Sequence, residues 1–237
     1  MNNRKAGNLK KVSAVIPAWN EEGWVGTTVE TLSRLKEIDE IIVVDDGSRD
    51  NTFYEALLAG ATCVLRLPNN LGKGHALKQG TIVASGEIII FVDADTQKTA
   101  GEVLKLLLPI INDETDMAIG SFSVKGGGGL GITKKLASWF LFICTGFEAK
   151  SPLSGQRVLT RVLLKSINFQ AKKFDAEVAL TTEALKKGFR VKEIPVQMSH
   201  RILNHKWQGW LHRAGQCLDI LKYFWKYRGG AFKWTRI

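Results

Sequence analysis

The sequence predicts an α/β fold: a mostly parallel sheet sandwiched by helices, followed by a C-terminal amphipathic helix. Three observations point there. Short apolar runs alternate with helix-period segments over the first two thirds of the chain. Those runs are continuously apolar, as strands covered on both faces must be. Several of them also end in polar, chemistry-bearing residues, and ligands bind such sheets beyond the carboxyl ends of the strands.

The elements follow in order. VSAVIPA (residues 12–18) reads as a buried strand, and EEGWVGTTVETLSRL (21–35) as the helix after it. DEIIVVDDGS (39–48) is a second strand closed by carboxylates and a glycine turn. RDNTFYEALLAG (49–60) is a helix with Asp50 or Asn51 as N-cap and Gly60 as its stop. ATCVLRLP (61–68) is a third strand, and GKGHALKQGTIVAS (72–85) a helix opened by glycines. EIIIFVD (87–93) is the fourth strand, TAGEVLKLLLPIIN (99–112) a helix, and DMAIGSF (116–122) a fifth strand. KGGGGLGITKK (125–135) is too glycine-rich to be rigid and reads as a mobile loop near a ligand. LASWFLFICTGF (136–147) is a helix, too short for a span of about 20 residues, and SPLSGQRVL (151–159) a turn. DAEVALTTEALKKG (175–188) is a helix, and FRVKEIPVQM (189–198) a late strand. In the last segment Trp207, Trp210, Leu211, Ala214, Leu218, Leu221 and Trp225 share one helical stripe, opposite His212, Arg213, Lys222 and Lys226.

Composition narrows the class. The chain has 237 residues, 45% hydrophobic and 24% charged, the values of an ordinary globular protein. Its formal charge is +10, from 33 Lys and Arg against 23 Asp and Glu, which calls for an anionic partner. Cys63, Cys144 and Cys217 form no metal spacing and fit reduced core positions of a cytosolic protein. The polar, basic residues 1–11 carry no signal peptide, so the expected location is cytoplasmic, with a peripheral place at the inner face of the cell membrane open to it. A nucleic-acid-binding module would account for the charge but would have no use for Asp46, Asp93 and Asp95.

Those carboxylates carry the chemistry. Asp93 and Asp95 stand one residue apart at the end of an apolar strand, where two like charges ask for a cation between or beside them. Hard divalent ions such as Mg²⁺ or Mn²⁺ bridge carboxylates to phosphate oxygens and neutralise a diphosphate leaving group. Gly72-Lys73-Gly74 opens a helix, whose first amides favour anions.

Four segments in order, VIPAWNEE, VVDDGSRDNT, NLGKGHALKQG and FVDADTQ, resemble the family 2 glycosyltransferases of GT-A fold, and the likeness runs more loosely to VKEIPVQMSHR. It implies a GT-A domain over residues 1–200 with 201–237 as a helical extension packed on the domain or on a membrane surface. It further implies a nucleotide-diphosphate sugar as donor, UDP- or GDP-linked, with Mg²⁺ or Mn²⁺. Pro17, Trp19, Asn20, Glu21, Val44, Asp46 and Ser48 would then line the base and ribose, and Lys73 would face the diphosphate. Asp93, with Ala94, would approach the ribose or sugar, and Asp95 would ligate the metal with Gln97 beside it.

Asp175 and Glu177 begin a helix where similar enzymes carry an acidic residue that is a catalytic base or holds the acceptor or sugar; Asp175 serves equally as an N-cap. His200 falls where glucosyl-3-phosphoglycerate synthases place a further metal ligand, and Arg201 where polyprenyl-phosphate sugar synthases place a phosphate-gripping arginine. Gln156 and Arg157 lie in the acceptor segment, Arg157 as a bidentate phosphate or carboxylate contact or as an ordinary salt bridge. Phe122 departs from the polyprenyl-phosphate pattern, which has an arginine there. The acceptor is thus a phosphorylated molecule, either a polyprenyl phosphate or a small phosphorylated acid. A basic, non-catalytic binding protein on the same scaffold is the alternative of another class. A homodimer is among the assemblies the sequence allows.

Overall fold

A computed structural model of the chain describes residues 10–122, 131–167 and 176–198. The expectations placed on Asp175, His200, Arg201 and the extension 201–237 fall outside these residues.

Within them, β1 (Val12–Ala18), β2 (Glu40–Asp45), β3 (Cys63–Arg66), β4 (Ile88–Phe91), β5 (Met117–Ser121), β6 (Arg157–Thr160) and β7 (Val191–Pro195) form one sheet in the order β3-β2-β1-β4-β6-β5-β7. All neighbours run parallel except β6, which is antiparallel to both β4 and β5. The apolar runs become strands because each supplies two faces of core. Ala14, Ile16, Val43, Ile88 and Ile90 pack to one side, while Val15, Ile42, Val44, Ile89 and Phe91 pack to the other.

The first side is covered by α1 (Val25–Ser33) through Val25, Val29 and Leu32, and by α4 (Val103–Ile111) through Val103, Leu106, Leu107 and Ile110. The second is covered by α3 (Lys73–Val83) through Ala76 and Leu77, by α6 (Arg161–Ser166) through Leu163, and by α7 (Ala176–Lys186) through Leu180 and Ala184. α2 (Thr52–Leu58) adds Ala56 to the first layer. α5 (Gly131–Thr145) lies against α7, with Ala137, Phe140, Leu141 and Val178 in a third cluster. Among the described residues no helix is long and apolar enough to cross a membrane. Cys63 and Cys144 are free thiols, half-buried rather than in the core.

The structure corrects the sequence reading in three places. Residues 157–159, expected in a turn, belong to the interior strand β6, with Phe91 and Ile119 both opposite Arg157. A charged residue at the head of a four-residue run hid a strand that is buried on both sides, and α6 follows without a connecting loop. α5 begins at Gly131, so Lys134 and Lys135 belong to a helix and not to the glycine-rich loop. A 3₁₀ turn, Gln97–Glu102, precedes α4, so the first four residues of the helix expected over 99–112 belong to that turn.

α3 approaches the sheet closely because it carries Gly80 at the contact. A Cβ there would strike Val15 Cγ1 and come within 3.1 Å of Val44 Cγ2. Gly80→Val should therefore lower stability in urea unfolding by roughly 1–3 kcal/mol, as overpacked cores do. Wild-type stability in that variant would mean that the helix can stand off the sheet.

Candidate active site

Strands β1, β2 and β4 deliver their carboxyl ends to one edge of the sheet, and β6, running the other way, delivers its start there. The segments beyond these ends enclose a cleft of about 740 Å³. Pro17, Trp19, Glu21, Asp46, Lys73, Asp93, Ala94, Asp95, Leu153 and Glu177 are among its walls.

The β2 end is built first. The amide of Asp46 donates to Ala18 O, closing β2 onto β1, and the buried Asp46 carboxylate accepts the Leu71 and Gly72 amides at 2.9 and 2.7 Å. Two amides of the turn that opens α3 are thus capped by the chain's own anion. Gly47 makes this possible: its φ is +73°, and a Cβ would lie 2.7 Å from the Asn69 carbonyl carbon. Asn20, at φ 55°, donates its amide to Ser48 Oγ (2.9 Å) and accepts the Arg49 amide at 3.0 Å. Asn20 and Ser48 therefore face a second, adjoining cleft of about 740 Å³, which shares Trp19 and Asn70 with the first and includes Arg49 and Arg66.

The β4 end supplies the two aspartates. β4 stops at Phe91, so Asp93 and Asp95 lie in the turn beyond it and do not share a strand face. Thr28, fully buried on α1, fixes that turn: its hydroxyl donates to Ala94 O (2.7 Å) and accepts the Gln97 amide (2.8 Å).

Asp93 is held from both sides. Lys73 Nζ lies 2.7 Å from Asp93 Oδ1, and Gln156 Nε2 donates to Oδ2 at 3.0 Å. The same ammonium stands 3.0 Å from Glu177 Oε1, in the first turn of α7. Burial pushes Lys73 down, but Asp93 and Glu177 outweigh it and hold the amine charged, above its ordinary range. Gly155 lies directly beneath this arrangement, and a Cβ there would overlap Lys73 Nζ and the Asp93 carboxylate.

Several expected contacts are placed elsewhere. Val44 does not line the cleft; it is fully buried in the core under α3, because the β2 side chains alternate and Asp45 ends the strand. Arg157 is 1% exposed, and its guanidinium donates to Ser154 O (2.9 Å), Thr181 Oγ1 (2.7 Å) and Pro152 O (3.2 Å). It neither grips an acceptor nor forms a surface salt bridge. Burial pulls Arg157 down to about 10, against the opposing charges of Glu177, Glu193 and Asp93, so it stays cationic at neutral pH.

Through Thr181, whose hydroxyl donates to Glu177 O at 2.9 Å, Arg157 ties β6 to the helix that carries Glu177. Gln156, also fully buried, is committed to Asp93 rather than to an acceptor. Gln97 is half-buried with φ 48° and is not among the residues lining the cleft. Sequence reasoning overlooked Thr28, which gave no signal inside an amphipathic helix, and gave no individual role to Leu153 and Gly155 within the acceptor segment, residues 153–157.

Comparison with known proteins agrees with this geometry. The family model described as Glycosyl transferase family 2 matches residues 13–168. Glucosyl-3-phosphoglycerate synthase of Mycolicibacterium smegmatis is 34% identical over 76% of this chain and 65% of its own length. UDP-N-acetylglucosamine–dolichyl-phosphate N-acetylglucosaminyltransferase of Methanococcus voltae is 27% identical over 79% of this chain and 85% of its own. The chain spans only 60–65% of the length of the synthases it matches.

A crystal structure of the Mycobacterium tuberculosis glucosyl-3-phosphoglycerate synthase, solved with Mn²⁺, UDP-glucose and phosphoglyceric acid, superposes with a TM-score of 0.74. It is 26% identical and covers 90% of this chain and 78% of that one. The sheet order, the cleft beyond the strand ends and these matches lead to one conclusion: the chain is a glycosyltransferase of GT-A fold and belongs to glycosyl transferase family 2.

Proposed function

We propose that the protein transfers a hexose from a UDP-sugar to a phosphorylated acceptor, polyprenyl phosphate first among them, with Mg²⁺ or Mn²⁺ at Asp95. The observation that carries this reading is the single cleft in which Lys73, Asp93, Asp95 and Glu177 meet beyond the strand ends. UDP is favoured over GDP because UDP compounds are named with the relatives on both sides of the comparison.

The donor set suits such a metal. Among the described residues no three His, Cys, Asp or Glu gather as a self-sufficient metal cage. A hard octahedral cation that arrives with a diphosphate needs only one or two protein carboxylates, and Asp95 in the cleft wall supplies one. Bound there, the ion would neutralise charge on the departing nucleoside diphosphate.

The chain's own residues do the rest. Asp93, clamped by Lys73 and Gln156, presents fixed acceptor oxygens to the donor's ribose or sugar. Lys73 offers a permanent positive charge at the diphosphate end of the cleft, preorganised by its two carboxylates. Glu177 holds Lys73 and faces the acceptor side, beside Leu153. An acceptor phosphate is already an anion, so no general base is needed to activate it. A second reading, a small phosphorylated acid as acceptor, is supported by the identity to the synthases.

Thermal melting with UDP-glucose, UDP-N-acetylglucosamine and GDP-mannose, with and without Mn²⁺, tests the donor. One UDP-sugar should raise the midpoint in a metal-dependent way, by the equivalent of about 2.7 kcal/mol at a hundredfold excess over Kd. Asp95→Asn should abolish the metal-dependent part; an unchanged shift would remove Asp95 from the metal. Lys73→Met should lower kcat roughly 10²–10³-fold, as loss of one preorganised electrostatic contact does. It should also cost about 1–3 kcal/mol of stability, less than for a fully buried pair because Nζ is partly open to solvent. Labelled sugar recovered on polyprenyl phosphate, rather than on 3-phosphoglycerate, would decide between the acceptors.

A further inference from the structure

α5 is apolar on both of its faces. Its inner face, Ala137, Phe140 and Leu141, is buried against Val178 of α7. Its outer face carries Lys135, Trp139, Phe142 and Ile143, which helical spacing puts on one stripe. The three apolar members are 51%, 51% and 53% exposed. A helix that is hydrophobic all round belongs in a core or against lipid.

Charge selects between occupants. The charged residues of α5 are Lys134 and Lys135, both in its N-terminal part, with Lys135 on the outer stripe; just beyond its other end the exposed Glu148 and Lys150 offset one another. Residues 201–237 carry eight Lys and Arg against one acid, so that segment is electrostatically mismatched to this helix. A second copy of α5 has no acidic side chain to offer Lys134 and Lys135. An anionic bilayer satisfies both the apolar stripe and the basic start of the helix.

Place supports the same occupant. Leu153 lines the catalytic cleft and also packs in the cluster that seats α5, next to Val178, the neighbour of Glu177 in sequence.

We propose that the outer face of α5 docks on an anionic lipid surface, with Phe142 and Ile143 entering the headgroup region and Lys135, on the same stripe, on lipid phosphates. The cleft then opens at the bilayer, where a lipid-borne acceptor phosphate can enter while its chain stays among the acyl tails. This deepens the acceptor reading above and rests on it.

The test is co-sedimentation of the full chain with vesicles of phosphatidylcholine alone and of phosphatidylcholine with phosphatidylglycerol. The wild type should partition onto the anionic vesicles. Phe142→Glu/Ile143→Glu should lose about tenfold or more of that partition, because two apolar contacts become like-charge repulsions. Lys135→Gln should reduce the preference for anionic lipid, and Leu58→Glu, an exposed apolar site on α2, should change nothing.

Donor-induced thermal stabilisation, read on the same samples, should be that of the wild type throughout. If the donor shift is absent while partition follows this pattern, the enzymatic reading fails and the docking face stands. Wild-type partition in the Phe142/Ile143 variant would overturn the proposal. A large fall in its melting point without vesicles would overturn it in favour of coverage by residues 201–237. A change from dimer to monomer in solution would overturn it in favour of a second copy.

Discussion

One ammonium group organises the cleft. Lys73 sits between Asp93, from the turn after β4, and Glu177, from the start of α7, so three segments far apart in sequence meet at one charge. Without a cation the two carboxylates would face each other across a half-buried space, which is costly at any distance where both could touch one substrate. The constraint propagates outward. Lys73 is aimed by the turn that Asp46 caps, Asp93 by Gln156, and Glu177 by the helix that Arg157 holds through Thr181. Gly47, Gly80 and Gly155 are places where a side chain would push this frame apart.

Such an arrangement divides labour between the aspartates. Asp93 is clamped by Lys73 and Gln156 where we propose it meets the donor, while Asp95, in the same turn, lines the cleft as the proposed metal ligand. Thr28 keeps the two on their separate tasks by pinning the turn at Ala94 and Gln97. Two carboxylates one residue apart are thereby kept from competing for the same cation.

Much of this was legible from residue order alone. The continuously apolar runs at 12–18, 40–45 and 88–91 identified the central strands because burial on both faces leaves no room for alternation. The polar ends of those runs located the cleft. What stayed hidden was the part that depends on long-range partners. Arg157 looked like a surface or ligand group because a lone arginine carries no sign of the carbonyls and hydroxyl that will satisfy it in the core. Gln156 looked like an acceptor contact for the same reason. Val44 sat beside recognisable motif residues, yet the alternation of β2 sends its side chain into the core.

The reversed strand β6 also has a consequence for synthesis. β4 and β5 are adjacent in chain order but never pair; each waits for β6 to come between them. On the ribosome β5 is complete at Ser121 and β6 does not begin until Arg157, a delay of seconds at typical elongation rates. During it the isoleucine-rich edge of β4 and the edge of β5 are both open, and direct β4–β5 pairing is the simplest wrong answer available to the nascent chain. Any β4–β5 pairing made in that interval has to open again before Arg157–Thr160 can enter between the two strands.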